Sequence, residues 1–367
     1  MGEEDLYLLA LRSIPKVGDV VAKQLISYCG SSKAVFEETK GKLQKIPSIG
    51  AKTIELIASQ KSLDLAEEQI RLCEKNDVFL IPYYSSDYPE KLKWVNDAPL
   101  VLFVKGEKSH ANQKVIGIVG TRNATNYGKE ITRQIVQDLV AHDVLVVSGL
   151  AYGIDIAAHR AALEYGLPTV AVLAGGLEKV YPAAHRKTAQ DILENGSIYS
   201  EKEIGIKPEA HFFPARNRII AGMSDAVIVV EAAAKGGALI TANIAYSYDR
   251  EVFAVPGDLK NKFSEGCNWL IKSQRANIYT GLSDLEYLLN WEKGKEIETK
   301  VKLDFSQYSN DEQTILNILK EFKAGLHLDE LSWKSQLSVN AAVSLLLNLE
   351  FAGLIKSLPG KKYQLIQ

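Results

Sequence analysis

Five short runs built mostly from Val, Ile, Leu and Ala recur through the middle of the chain: KVIGIVG (114–120), VLVVSG (144–149), TVAVLAG (169–175), AVIVVEA (226–232) and EVFAVPG (251–257). Runs so uniformly apolar, and too short for buried helices, read as strands covered on both faces. Between the first two lies YGKEITRQIVQDLVAH (127–142), in which Ile131, Ile135, Val136, Leu139 and Val140 form one helical stripe. Apolar strands alternating with amphipathic helices specify an α/β fold with a mainly parallel sheet, spanning about residues 75–291.

The flanks follow other patterns. Residues 1–70 read as short helices and contain two similar segments, SIPKVGDVVAKQLI (13–26) and KIPSIGAKTIELIA (45–58). Each has Ile-Pro-x-apolar-Gly before a helical pattern, the layout of a helix-hairpin-helix turn, and Lys16, Lys23 and Lys52 lie nearby. The helix starts such turns create can hold a phosphate without reading bases, and a small helical packing domain fits the same pattern. Residues 292–310 are charged and aperiodic and read as a linker. Beyond them, 311–367 reads as three helices, the first capped by Asn310 or Asp311, and a hairpin turning at Pro359-Gly360: a winged helix. This last unit holds six Lys/Arg and six Asp/Glu, and its recognition helix (338–351) has no Lys or Arg. That suits packing or protein contacts better than base reading, leaving Lys356, Lys361 and Lys362 as its DNA candidates.

A length of 367 residues suits two or three domains, and a net charge of −2 means any polyanion site is a local patch. Three cysteines without metal-ligand spacing suit a reducing compartment. The absence of a signal layout or a membrane-length apolar run points to a cytoplasmic protein with no membrane association.

In an open α/β sheet, ligands bind beyond the carboxyl ends of the strands. Those ends carry Gly120-Thr121-Arg122, Ser148-Gly149, Gly175-Gly176, Glu231 with Lys235-Gly236-Gly237, and Pro256-Gly257. Glycine admits a ligand close to the backbone, helix starts offer N–H donors, and arginine binds phosphate in a planar fork. The stretch FFPARNR (212–218), read as a basic loop before an apolar helix, adds Arg216 and Arg218 as a phosphate clamp facing Arg122. Phe213 is a candidate base platform, with Phe212 the core member of the pair. GIVGTRNAT lacks the second and third glycines of a dinucleotide fingerprint, which argues against NAD. The six histidines show no ligand spacing, so no metal or cofactor is expected, and Asp155 and His159 read as an i,i+4 hydrogen-bonded pair. Glu231 reads either as a general acid–base or, more simply, as a carboxylate paired with a nearby arginine.

The ordered set GIVGTRNATNYG, VVSGLAYGIDIAAHRAAL, FPARNRIIAGMSDAVIVVEA, GGALITANIA, REVFAVPGD and GCNWLI closely resembles the DNA-processing protein A family (DprA, also called Smf). YPEKLKWVNDAPLVLFVKG (88–106) resembles that family's lead-in. The resemblance implies an extended Rossmann-like domain (75–291) between a helical N-terminal domain (1–70, helix-hairpin-helix or SAM-like) and a C-terminal winged helix (311–367). It implies a homodimer that binds single-stranded DNA and loads the recombinase RecA during natural transformation, with no catalytic residue. The DNA-binding set it implies is Gly120, Thr121, Arg122, Ser148, Gly149, Tyr152, Phe213, Pro214, Arg216, Asn217, Arg218, Lys235, Gly236 and Gly237. Thr121 replaces a family serine, Tyr152 stands where members often carry arginine, and Gly236-Gly237-Ala238 replaces Ser-Gly-Ser. The alternative is a phosphoribohydrolase-like enzyme using Glu231 in the same pocket.

Overall fold

In the computed structural model, residues 2–110, 113–292, 305, 308–322, 325–358 and 360–366 are described. Most of the expected linker, 292–310, and Pro359 of the wing turn lie outside these residues. The chain divides into two compact units, Met1–Ile297 and Glu298–Gln367.

The first unit is organised by a nine-stranded sheet: β1 (Phe79–Pro82), β2 (Val101–Gly106), β3 (Val115–Val119), β4 (Leu145–Ser148), β5 (Thr169–Leu173), β6 (Gly196–Ser200), β7 (Ala226–Val229), β8 (Glu251–Ala254) and β9 (Asn277–Ile278). Their order across the sheet is β1-β2-β6-β5-β4-β3-β7-β8-β9. From β6 to β9 every pairing is parallel, while β2 joins β6 and β1 joins β2 antiparallel. The five apolar runs became β3, β4, β5, β7 and β8. Val146, Val147, Ile116, Ile118, Val227 and Ile228 are completely or almost completely buried, each contributing roughly 1.5–3 kcal/mol of apolar burial. After β3 the chain winds one way through β4, β5 and β6, then returns to lay β7 on the other side of β3. That reversal opens a crevice between the carboxyl ends of β3 and β7, the topological switch point of the sheet.

Helices Glu3–Arg12, Asp19–Cys29, Ser32–Glu37, Ala51–Ser59 and Lys61–Lys75 build an N-terminal layer. Leu8, Leu11, Leu25, Ile54 and Ile57 share one apolar core with Phe103 of β2, Ala171 of β5 and Ile198 of β6. Both expected hairpin turns form: Lys16 and Ser48 take positive φ, and Gly18 and Gly50 cap the following helices. The first turn faces inward. Asp19 accepts a hydrogen bond from the Leu100 amide at 3.0 Å, and Lys23 Nζ donates to the Ala98 carbonyl at 2.7 Å.

The second unit contains helices Asn310–Glu321, Leu328–Ser335 and Val339–Phe351 with β10 (Leu326–His327), β11 (Ile355–Leu358) and β12 (Lys362–Leu365). Its sheet has three strands in the order β10-β12-β11, one more than the expected hairpin, because Leu326 and His327 pair with the outer side of β12. The first cap is Ser309, whose hydroxyl and the Glu312 carboxylate close a capping box, rather than Asn310 or Asp311. Lys356, Lys361 and Lys362 are exposed, as are Val339, Val343, Leu347 and Phe351 along the recognition helix, which carries no Lys or Arg.

Candidate nucleic-acid interface

At the switch point lies an open crevice of about 540 Å³, bounded by Val119–Arg122 beyond β3, Ala232 and Ala233 beyond β7, and the starts of two helices. One of those helices, Phe212–Met223, incorporates the stretch expected to be a loop: FFPARNR forms its first two turns. Pro214 is tolerated there because first-turn N–H groups have no intrahelical acceptor. The other helix, Gly237–Ser247, starts at the crevice behind exposed Lys235, Gly236 and Gly237, presenting free amides toward it. Asn217 reaches it through a hydrogen bond from Nδ2 to the Gly237 carbonyl at 3.4 Å.

Arg122 is exposed on the opposite wall, and its guanidinium lies 5.3 Å from the centre of the Phe213 ring. Phe213 is half-buried and meets Tyr181 edge-on, at 6.0 Å between ring centres, so one ring face serves the cation while the ring is braced from the side. The turn carrying Arg122 is held from several directions. The Thr121 amide donates to the Glu231 carbonyl at 2.7 Å, its carbonyl accepts from Ile154 N at 3.2 Å, and its hydroxyl accepts from Asn123 N at 3.2 Å. Gly120 and Thr121 therefore position Arg122, and Thr in place of Ser keeps the turn's hydroxyl acceptor.

Arg216 lies beneath the crevice and is 4 % exposed. Its Nη1 donates to the carbonyls of Gly149, at 2.6 Å, and Val172, and Nε donates to Asn217 Oδ1 at 3.1 Å. Burial lowers its pKa to about 10, an effect the Asp155 charge opposes. Burial in turn pushes the Asp155 carboxyl up, opposed by Arg216 and by the amides of Ala151 and Gly149. Gly149 is needed for this arrangement, since a Cβ there would occupy the guanidinium's position. Arg216 thus ties the ends of β4 and β5 together and puts fixed positive charge under the floor, instead of acting as a mobile clamp.

Arg218 does not join it. Two residues further along a helix is a rotation of about 200°, so Arg218 points away from the crevice. It pairs with Glu201 and lies 3.7 Å from Asp19 and 3.9 Å from Asp97, joining this helix to the N-terminal layer. Ser148 is completely buried, with its hydroxyl donating to the Ile118 carbonyl at 2.6 Å. Phe212 is no core residue: it is partly exposed against Lys202 and His211. Tyr152 is 51 % exposed, edge-on to His185, and lies beyond Arg122 outside the crevice.

Glu231 is spent inside the protein, on neither reading proposed for it. Its carboxylate accepts from the Thr125 amide at 2.9 Å and the Thr125 hydroxyl at 2.6 Å, at the start of helix Asn126–Leu139. A negative group at that end is favoured by the unpaired amides and the helix dipole. Asp155 lines the crevice and was not anticipated as a site residue. The signal was a lone carboxylate in the alanine-rich segment IDIAAHRAAL. Nor do Asp155 and His159 pair with each other. Thr169 gives its hydroxyl proton to the Val146 carbonyl, so it accepts from His159 Nδ1 at 2.8 Å.

His159 is completely buried, and burial together with Arg216 and His185 lowers its pKa to about 3. A histidine of unfolded pKa about 6.5 then takes up protons on unfolding, so its contribution is complete above that pH and is lost as pH falls toward about 3. Asp155, raised in the fold, acts with the opposite sign as acid is added. Urea unfolding of the wild type and His159→Gln between pH 7 and 5 separates the two. The wild type should lose about 2 kcal/mol more than the variant over that range; parallel pH profiles would contradict this assignment.

The profile of the family described as DNA recombination-mediator protein A matches residues 79–290, the whole sheet and its crevice. The chain belongs to that family. The mediator family's winged helix domain matches residues 306–361. Protein Smf of Escherichia coli K12 is 37 % identical over 82 % of each chain, and protein Smf of Synechocystis 33 % identical over 98 % of each. Among solved structures, DNA processing protein A (DprA) from Streptococcus pneumoniae is similar at TM-score 0.66 and 30 % identity, covering 80 % of this chain and 99 % of its own. DNA processing protein A from Helicobacter pylori, reported for its single-stranded DNA binding mode, is similar at TM-score 0.53 and 29 % identity, covering 58 % and 95 %. Among the described residues no cluster of three or more metal-ligating side chains occurs, and no helix is long and apolar enough to cross a membrane.

Proposed function

We propose that the switch-point crevice binds single-stranded DNA without strong sequence preference, and that the protein delivers the strand to the recombinase RecA during natural transformation. The observation that carries the first part is the exposed Arg122 guanidinium set over Phe213 beside free helix-start amides. It offers a cation for phosphate and an aromatic surface for a base, which is the chemistry of sequence-tolerant single-strand binding. The single-strand binding reported for the Helicobacter pylori relative supports the same ligand. In this reading Arg122, Phe213, Lys235, Gly236 and Gly237 touch the strand. Pro214, Asn217, Arg216, Gly149, Gly120 and Thr121 shape the site, while Ser148 and Arg218 hold the fold.

The reading is non-enzymatic, supported by Glu231, whose carboxylate already serves Thr125. Delivery to RecA and a cytoplasmic location rest on kinship with recombination mediators. A homodimer through the sheet domain is supported by exposed Tyr246 and Trp269 on helices Gly237–Ser247 and Glu265–Lys272.

Arg122→Ala should weaken single-strand binding about 10- to 100-fold and shallow the log–log salt slope by about 0.7, the effect of one lost phosphate contact. Fluorescence anisotropy with single- and double-stranded oligonucleotides across a salt series measures both. Weak, equal binding to the two forms, unchanged in the variant, would sink the proposal.

A further inference from the structure

Arg122 borders two depressions. A second open groove of about 520 Å³, to which Phe213 does not contribute, runs along helices Asn126–Leu139 and Ile154–Glu164. Arg122, Lys129, Arg133, Tyr152, Arg160 and His185 line it. Its charge balance is positive. Arg133 is neutralised by Glu164, with two bonds at 2.6 and 3.1 Å, and Glu164 is the only carboxylate in the lining. Lys129 is exposed and forms no ion pair among the described residues, and Arg160 is exposed with only a long 3.5 Å contact from Nε to the Thr188 hydroxyl. Tyr152 holds its ring half in solvent, steadied edge-on by His185 at 4.8 Å between ring centres. His185 is itself fixed by its Nδ1 bond to the Leu150 carbonyl at 2.8 Å.

The crevice therefore has an aromatic ring with a shared cation, and the groove has a second ring with two further cations. A single nucleotide needs one such set. Two sets side by side around one arginine match a ligand whose anionic and planar groups repeat. We propose that this groove is a second subsite for the same single strand, with Tyr152 stacking on a base and Lys129 and Arg160 meeting the phosphates beyond the one at Arg122. Tyr152 supplies an aromatic surface here, while Lys129 and Arg160 carry the charge. The inference rests on the crevice binding single-stranded DNA.

The test compares oligothymidines of about 4 and about 12 nucleotides on the full chain. The wild type should bind the longer one more tightly by well over the statistical gain from extra registers. Lys129→Gln with Arg160→Gln should cut that length-dependent gain about tenfold and shallow the salt slope for the longer strand by about 1.4. Tyr152→Ala should cut it about 5- to 100-fold, with Tyr152→Phe restoring it. An unchanged length gain in these variants, while Arg122→Ala weakens both oligomers, would reject the groove and leave the crevice standing. Failure of the wild type to bind either oligomer would reject both.

Discussion

Arg216→Met should lose about 3–5 kcal/mol of stability, the largest effect of any single change at the crevice. The substitution leaves the carbonyls of Gly149 and Val172 and the buried Asp155 carboxylate without their shared partner. Methionine keeps the apolar stem but is shorter than arginine, so the loss combines the missing charge and donors with a small cavity where the guanidinium lay. Lysine would not rescue it fully, because it lacks the Nε–H that Arg216 donates to Asn217 Oδ1. Urea unfolding monitored by tryptophan fluorescence reads the change directly. A variant as stable as the wild type, with weakened DNA binding, would restore Arg216 as a phosphate ligand and overturn its structural assignment.

Gly153→Ala should be nearly as damaging and should also disable binding. Gly153 has φ of 81°, where an L-residue costs about 1–2 kcal/mol. In addition, its Cβ would fall inside the contact radius of the Thr121 carbonyl oxygen and the Arg122 backbone. Neither is a flexible side chain that can swing aside, so the Arg122 turn must move. The expected outcome is a stability loss of about 2–4 kcal/mol and a fall in single-strand affinity matching that of Arg122→Ala. Unfolding and anisotropy on the same sample separate the two effects. A destabilised variant that keeps full affinity would show that the turn can shift without consequence for the ligand.

The central strands were legible because they are buried on both faces and so are written almost entirely in β-branched and aliphatic residues. β6 was not. Its sequence GSIYS hides two serines whose hydroxyls donate to the carbonyls of Glu107 and Gly175, making polar residues compatible with complete burial. β9 is two residues long and β1 four, while β2, apolar through Val104, pairs antiparallel at the margin, outside the strand–helix alternation that marked the central strands. At the site, the glycines and Arg122 were legible from the rule that ligands gather at the carboxyl ends of parallel strands. The error lay in FFPARNR. Proline and two arginines in a row of seven suggested a loop, in which both guanidiniums could converge. The segment is helical, and helical spacing sends Arg216 beneath the crevice and Arg218 to the far side. Long-range partners made that division possible: Asp155 lies 61 positions before Arg216 and Asp19 lies 199 before Arg218. No local pattern announces either.

Helix Phe212–Met223 consequently behaves as a crossbeam fixed at both sides. Arg216 bolts it to the strand ends under the ligand, and Arg218 bolts it to Glu201, Asp97 and Asp19. The N-terminal layer is therefore not a detachable module with respect to the crevice. Cutting it away would strip Asp19 from Arg218 and expose Leu8, Leu11 and Leu25's apolar partners on β2 and β6. A shortened version of this protein would keep Arg218 paired with Glu201 but would need a polar resurfacing of that sheet face before the crevice could keep its shape.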